Sequence, residues 1–268
     1  MTVADELVVD GVTVRFAGLT ALDDVSFTVL PGTVHALIGP NGAGKSTCFN
    51  VLSGVYRVSA GRVLLGDLPL LGRRPHQITK AGVGRTFQNI ALSPGHSVTE
   101  NLMLARHVLT KSGFVSAGLR LPPSTREAQR HRARVREIAE FVGLGDNLDV
   151  PAGTLPYGAQ KRVELARALC LEPRLLLLDE PVAGLNAHES SEMAETILDV
   201  RDGLGISVLL VEHDMGLVMG IADRVTVLDF GKRIADGTPA QVQRDPAVIR
   251  AYLGTGGNGD DRIVGEPS

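Results

Sequence analysis

The 268-residue sequence contains no tryptophan, and aromatic residues make up only 4% of it. Cysteine is as scarce. Cys48 and Cys170 are the whole complement, without metal-ligand spacing, which excludes a disulfide framework and a cysteine-based zinc site. Both are expected to be small buried residues. Positive charge is not in surplus: 27 Lys and Arg face 30 Asp and Glu, a net charge of -3. No overall field would gather nucleic acid or anionic lipid. Long apolar runs are missing too, since Leu175–Leu178 and Ile206–Val211 fall far short of the roughly 20 residues of a spanning helix. The opening Met-Thr-Val-Ala-Asp-Glu lacks the basic and then apolar segments of a secretory signal. The chain is therefore expected in the cytoplasm, reaching a membrane only through a protein partner. What the sequence does have is 44% hydrophobic residues, enough for a sizeable core.

Local pattern divides the chain. Leu7–Phe16, Val25–Val29 and Thr33–Ile38 are β-branched or apolar runs separated by turn residues, and they read as strands. Helical spacing of Cys48, Phe49, Val51 and Leu52 follows Lys45 and stops at Gly54. After a strand-like Arg62–Leu65, the stretch from Val98 to Val142 is mainly helical in character, broken at Pro122-Pro123. Ser124 is a candidate N-cap there, with Glu127 completing a capping box. Arg126, Arg130, Arg132, Arg134 and Arg136 make this helix basic. With Glu127 and Glu137 interspersed and no interleaved aromatics, they read as a solvated face rather than a nucleic-acid surface. From Arg174 onward, strands alternate with helices, the pattern of a parallel sheet covered by helices. The Gly- and Asp-rich tail, residues 256–268, reads as disordered.

Two motifs carry phosphate chemistry. Gly39-Pro40-Asn41-Gly42-Ala43-Gly44-Lys45-Ser46, followed by Thr47, matches the G-x-x-x-x-G-K-[ST] loop and lies between an expected strand and an expected helix. Its glycines let backbone N–H groups curl round a β-phosphate, aided by the helix dipole. Lys45 supplies a point charge for β- and γ-phosphates, and the Ser46 hydroxyl suits Mg²⁺. The second motif is Leu175-Leu176-Leu177-Leu178-Asp179-Glu180, an apolar strand delivering two carboxylates at its C-terminal end. Asp179 is placed to hold the Mg²⁺ shell, and Glu180 to polarise an attacking water.

Between them, Leu155-Pro156-Tyr157-Gly158-Ala159-Gln160 resembles the Leu-Ser-Gly-Gly-Gln signature of the ABC ATPases. It stands some twenty residues ahead of Asp179-Glu180, and a helix opening near Gly158 would offer dipole and backbone donors to a γ-phosphate. Gln88, the stretch Ala183-Gly184-Leu185-Asn186 and His213 fall in the family's order. The resemblance covers Leu7 to Gly254 and implies an α/β P-loop NTPase fold: a RecA-like parallel-sheet core with an antiparallel β subdomain and an inserted helical subdomain. It implies one ATPase domain over residues 1–255, with the core at 1–88 and 173–255 and the helical subdomain at 89–172.

By the same resemblance, Gln88 senses Mg²⁺ and the attacking water, His213 contacts the γ-phosphate, and Phe16 stacks on adenine. Tyr157, Gly158 and Ala159 face ATP held by a second ABC ATPase subunit, in a homo- or heterodimer. Transmembrane permease subunits and, indirectly, an extracytoplasmic solute-binding protein are the further implied partners; nucleic acid is not. Gly84-Arg85-Thr86-Phe87-Gln88-Asn89, Tyr157 and the ending Gly237-Thr238-Pro239 to Gly254 look most like the ATPase for branched-chain amino acid uptake. Importers of urea, amides or other small solutes share much of this pattern. A soluble ABC protein acting on DNA or ribosomes is the rival of another class, but neither a coiled-coil insertion nor a second ATPase unit is present. Pro156 and Ala159 depart from the signature, removing a hydroxyl and a glutamine.

Overall fold

The computed structural model describes residues 5–86, 90–109 and 122–253, with side chains of the last stretch described from residue 126. In chain order the elements are β1 (Leu7–Phe16), β2 (Leu19–Val29), β3 (Val34–Ile38), α1 (Lys45–Leu52), β4 (Ala60–Leu65), β5 (Leu68–Pro69), α2 (Pro75–Lys80) and β6 (Val83–Arg85). Three helices follow, α3 (Val98–Arg106), α4 (Pro122–Phe141) and α5 (Tyr157–Leu169). The last part alternates: β7 (Leu175–Asp179), α6 (Ala187–Leu204), β8 (Ser207–Val211), α7 (Met215–Ile221), β9 (Arg224–Asp229), β10 (Lys232–Gly237), α8 (Pro239–Gln243) and α9 (Pro246–Leu253).

Two sheets result. One is antiparallel, in the order β2-β1-β4-β5, and the other runs β10-β9-β3-β8-β7-β6. In the second sheet every neighbouring pair is parallel except β10 with β9. The leucine run of β7 shows why a continuous apolar strand belongs in its middle. Leu175 and Leu177 pack with the antiparallel sheet and α1, while Leu176 and Leu178 face the opposite core with Val163, Ile197 and Val208. Successive side chains point to opposite faces, so a strand covered on both sides needs apolar residues at every position. All five residues of β7 are buried.

Val98, Leu102, Val135, Ile138, Ala139 and Val163 join α3, α4 and α5 in one packed group. The expected capping by Ser124 is corrected here: α4 begins two residues earlier, at Pro122. Proline suits the first turn of a helix, where its missing N–H costs no hydrogen bond. The arginine positions fit a solvated face, for Arg126, Arg130, Arg132 and Arg136 are exposed. Arg134 pairs with Glu137 at 2.9 Å and with Glu172 at 3.6 Å. Both cysteines are buried, and burial pushes each thiol up to about 12. No helix among the described residues is long and apolar enough to cross a membrane.

Candidate functional site

The parallel strands bring the sequence motifs to one edge of the sheet. β3 ends in the loop Gly39–Gly44, β8 in Glu212 and His213, β7 in Asp179 and Glu180, and β6 in Arg85 and Thr86. Ligands of open α/β sheets bind outside such carboxyl ends.

The loop is shaped by backbone that only glycine adopts with ease. Gly39 has φ 149°, and a Cβ there would lie 2.1 Å from the Leu228 carbonyl oxygen. Gly44, at φ 105°, is the N-cap of α1 and offers no side-chain hydrogen bond to the helix end. Lys45 is 6% exposed, and its Nζ donates to Gly39 O at 2.6 Å and Pro40 O at 3.0 Å. Burial lowers its pKa, and the nearby charges of Glu180 and Asp179 oppose that shift. Ser46 is exposed beside it and Thr47 half-buried.

Asp179 is buried, and burial raises its pKa against the pull of Arg85, whose Nη2 lies 3.2 Å from Oδ2. The Thr86 hydroxyl accepts from Asp179 N at 3.4 Å. Glu180 holds a left-handed backbone, φ 51°, fixed by its N–H on Val211 O at 2.9 Å and by Ala183 N–H on its carbonyl at 3.2 Å. Such a conformation costs a non-glycine residue about 1 kcal/mol or more and clusters at functional sites. The result aims Glu180 Oε1 at His213 Nε2, 3.0 Å away. An ionised carboxylate only accepts, so Nε2 carries the proton in this pair.

Glu212 supports the arrangement from behind. It is buried, and its two carboxylate oxygens accept from Val182 N–H and His213 N–H, each at 3.0 Å. Burial raises its pKa while these backbone donors hold it back. Arg85 is a second supporting residue: its Nη1 donates to Asn50 Oδ1 at 2.8 Å and Ser53 Oγ at 2.6 Å, coupling the end of α1 to Asp179. Neither residue was singled out from the sequence. Their partners lie up to 94 positions away, beyond any local pattern; only the position of Glu212 beside His213 hinted at a role.

The other expected residues sit as follows. Phe16, 41% exposed, pairs with Leu19 across the β1–β2 hairpin and meets Tyr56 edge-on with ring centroids 5.0 Å apart. Ala21 and Leu22, just beyond that hairpin, are what a Cβ on Gly44 would touch. Pro156 is the N-cap of α5, at φ -54° and ψ 153°, again without a side-chain cap. Gly158 and Ala159 follow in the buried first turn, and Tyr157 is half-exposed against Gly184. A Cβ on Gly158 would come within 2.7 Å of Glu189 Oε1. Lys161 ties α5 to the end of β7, with Nζ 3.4 Å from Glu180 O. Gln88 and the tail 256–268 lie outside the described residues.

A family model described as "ABC transporter" matches residues 22–183, and one described as "Branched-chain amino acid ATP-binding cassette transporter" matches residues 232–258. The chain is 45% identical over 249 residues to the high-affinity branched-chain amino acid transport ATP-binding protein LivG of Escherichia coli K12, covering 92% of this chain and 97% of that protein. It is 43% identical, with the same coverage, to the corresponding protein BraF of Pseudomonas aeruginosa. Its fold matches the ADP conformation of MJ1267, an ATP-binding cassette of an ABC transporter, with a TM-score of 0.82 and 30% identity over 93% of this chain and 99% of that one. The chain belongs to the ABC transporter ATP-binding family.

Proposed function

We propose that the chain is the ATP-hydrolysing subunit of an ABC importer for branched-chain amino acids. The observation that carries the reading is the Glu180–His213 pair, 3.0 Å apart at the ends of adjacent parallel strands and one strand from the Lys45 loop. In this reading Gly39, Pro40, Asn41, Gly42, Ala43, Gly44, Lys45, Ser46 and Thr47 hold the phosphates of ATP. Lys45 exchanges its two carbonyl acceptors for phosphate oxygens. Glu180 accepts a hydrogen bond from the attacking water and directs its lone pair to the γ-phosphorus. The His213 Nε2–H, which donates to the Glu180 carboxylate in this structure, can turn to the γ-phosphate. Phe16 and its neighbour Tyr56 offer an aromatic edge to adenine.

The donors also suit Mg²⁺, which binds hard oxygens and keeps part of its shell in phosphate and water. Ser46 supplies a hydroxyl and Asp179 a carboxylate, with Gln88 as the third candidate. No three His, Cys, Asp or Glu side chains gather as a cage among the described residues, in keeping with a cation shared with substrate phosphates. Bound there, Mg²⁺ would neutralise charge developing on the β- and γ-phosphates.

Residues 89–172 form the helical unit that carries the signature, and residues 1–88 and 173–255 the ATPase core. Tyr157, Gly158 and Ala159 would complete the site of a second ABC ATPase subunit. The assembly sits on the cytoplasmic face of the membrane through permease subunits. The branched-chain assignment is supported by the relatives named above and by the match over residues 232–258.

The test is reconstitution in lipid vesicles with the permease subunits and solute-binding protein. ATP hydrolysis should rise on adding leucine, isoleucine or valine, and fall to background in Glu180→Gln. Stimulation by urea or an amide instead of these amino acids would overturn the substrate; indifference to Glu180→Gln would overturn the mechanism.

A further inference from the structure

Ser46, Asn50 and Ser53 stand at i, i+4 and i+7 along α1 and its C-cap, so they share one stripe of the helix. The first is the hydroxyl already offered to Mg²⁺, and the other two are held by Arg85. Its Nη1 donates to Asn50 Oδ1 at 2.8 Å and to Ser53 Oγ at 2.6 Å, and Ser53 Oγ donates in turn to Phe49 O at 2.8 Å. The guanidinium carbon lies 5.8 Å from the centroid of the Phe49 ring.

The other branch of the same guanidinium reaches the second carrier of a Mg²⁺ oxygen. Val83 of β6 and Leu177 of β7 pack in the core shared with α1. Arg85 and Asp179 each follow two positions later, so the period of the strand puts both on that face. Arg85 Nη2 comes to 3.2 Å from Asp179 Oδ2, with the two side chains 13% and 8% exposed. A buried ion pair is a weak source of net stability, so folding alone gives little reason to place one here. What the pair does is fix geometry: the planar fork serves a carboxylate and a helix at once, which an ammonium, a point charge, does not. It takes Oδ2 and leaves Oδ1 to a cation or its water.

We propose that Arg85 is a positioning residue for Mg²⁺, locking the stripe of α1 that carries Ser46 to the Asp179 carboxylate so that two donors on separate elements keep a fixed spacing. This role rests on the reading of Ser46 and Asp179 as donors to Mg²⁺. The cation demands near-ideal octahedral geometry and gives up water reluctantly, so a drift in donor spacing weakens its hold. ATP without metal depends on Lys45 and the backbone of the loop instead. Loosening the clasp should therefore remove the contribution of the cation and leave metal-free binding as it was.

The experiment measures the Kd of the purified chain for the non-hydrolysable ATP analogue adenylyl imidodiphosphate, once in excess Mg²⁺ and once in EDTA. The ratio of the two is the contribution of the cation. Wild type, Arg85→Lys, Asn50→Ala, Ser46→Ala and Lys45→Ala are compared, with Tm for each. Arg85→Lys keeps the charge and loses the fork; it should cut the ratio about tenfold, the worth of a charge-assisted contact, with the Kd in EDTA within about twofold of wild type. Asn50→Ala removes one anchor and leaves the ion pair, and should cut the ratio about threefold. If Arg85→Lys lowers Tm but keeps the wild-type ratio, Arg85 is a structural clasp and the inference falls; should that variant not fold, Asn50→Ala decides in the same way. A wild-type ratio in Ser46→Ala as well overturns the Mg²⁺ reading, and unaltered affinity of Lys45→Ala in both buffers overturns the nucleotide site.

Discussion

The N-termini of α1 and α5 are alike in one respect and differ in the rest. Neither is closed by a side chain, whereas α3 and α6, the other long helices with described caps, are closed by Ser97 and Asn186 in capping boxes. Open N–H groups and the positive end of the dipole make both suitable for phosphate. At α1 the backbone is backed by a buried cation, Lys45, whose ammonium is held on the Gly39 and Pro40 carbonyls of the loop. α5 has an N-cap proline instead, an exposed tyrosine and a glycine crowded by the Glu189 carboxylate. In the proposed mechanism α1 therefore binds the nucleotide by itself. α5, with dipole and backbone donors alone, suits the weaker task of closing on phosphate already bound elsewhere.

The sharpest way to break this comparison is Gly158→Asp. A carboxylate at the mouth of α5 repels phosphate and blocks backbone approach, and losing one such donor site costs about 10²- to 10³-fold in rate. Hydrolysis in the assembled transporter should collapse by that order while the Kd for ATP on the isolated chain, set by α1, stays near wild type. The new side chain also meets Glu189, the N3 residue of the α6 capping box, so unchanged ATP affinity doubles as the check on folding. Full activity in this variant would remove α5 from the composite site.

Glu180→Gln treats the two ends together. ATP binding should survive and hydrolysis drop about 10²-fold, the general-base contribution, leaving an ATP-bound dimer visible by light scattering. A turnover near wild type would strip Glu180 of its role. Lys45→Ala acts on the α1 side alone: the Kd for ATP should rise about tenfold or more, the worth of a charge-assisted contact, as read by titration. Unchanged affinity would mean that backbone and dipole suffice at α1 as well, and the two ends would no longer differ in kind.

The same contrast separates what was legible in the sequence from what was not. The Lys45 loop, the strand ending in Asp179-Glu180 and the turn into α5 are contiguous motifs, so their places in the fold could be read directly. Strand and helix alternation after Arg174 was legible because buried parallel strands are continuous apolar runs bounded by amphipathic helices. Hidden from the sequence were the three-residue length of β6, which packing rather than local propensity sets, and the first residue of α4, where proline starts the helix instead of preceding it. Arg85 and Glu212 were hidden for a different reason. Each acts through a partner that the fold brings near, and no spacing along the chain records such a meeting.

Pro156→Ser is the mildest change and the finest probe of the difference. At the N-cap, with ψ 153°, a serine hydroxyl sits where it can accept from the N–H groups of the first turn of α5. That closes the free helix and contributes about 1 kcal/mol, while loss of the proline's restraint on the unfolded chain takes back about 0.4 to 1 kcal/mol. Tm should therefore hardly move. When phosphate arrives, the hydroxyl can turn to donate to it, but it must first release the backbone N–H it was accepting from. The net gain is at most one hydrogen bond, so ATP-driven dimerisation and coupled hydrolysis should change by less than about tenfold, the equivalent of 1.4 kcal/mol. A larger increase, measured as a tighter ATP-dependent dimer, would show that α5 was limited by the missing hydroxyl rather than served by its dipole, and the two helix ends would then differ by one side chain instead of by design.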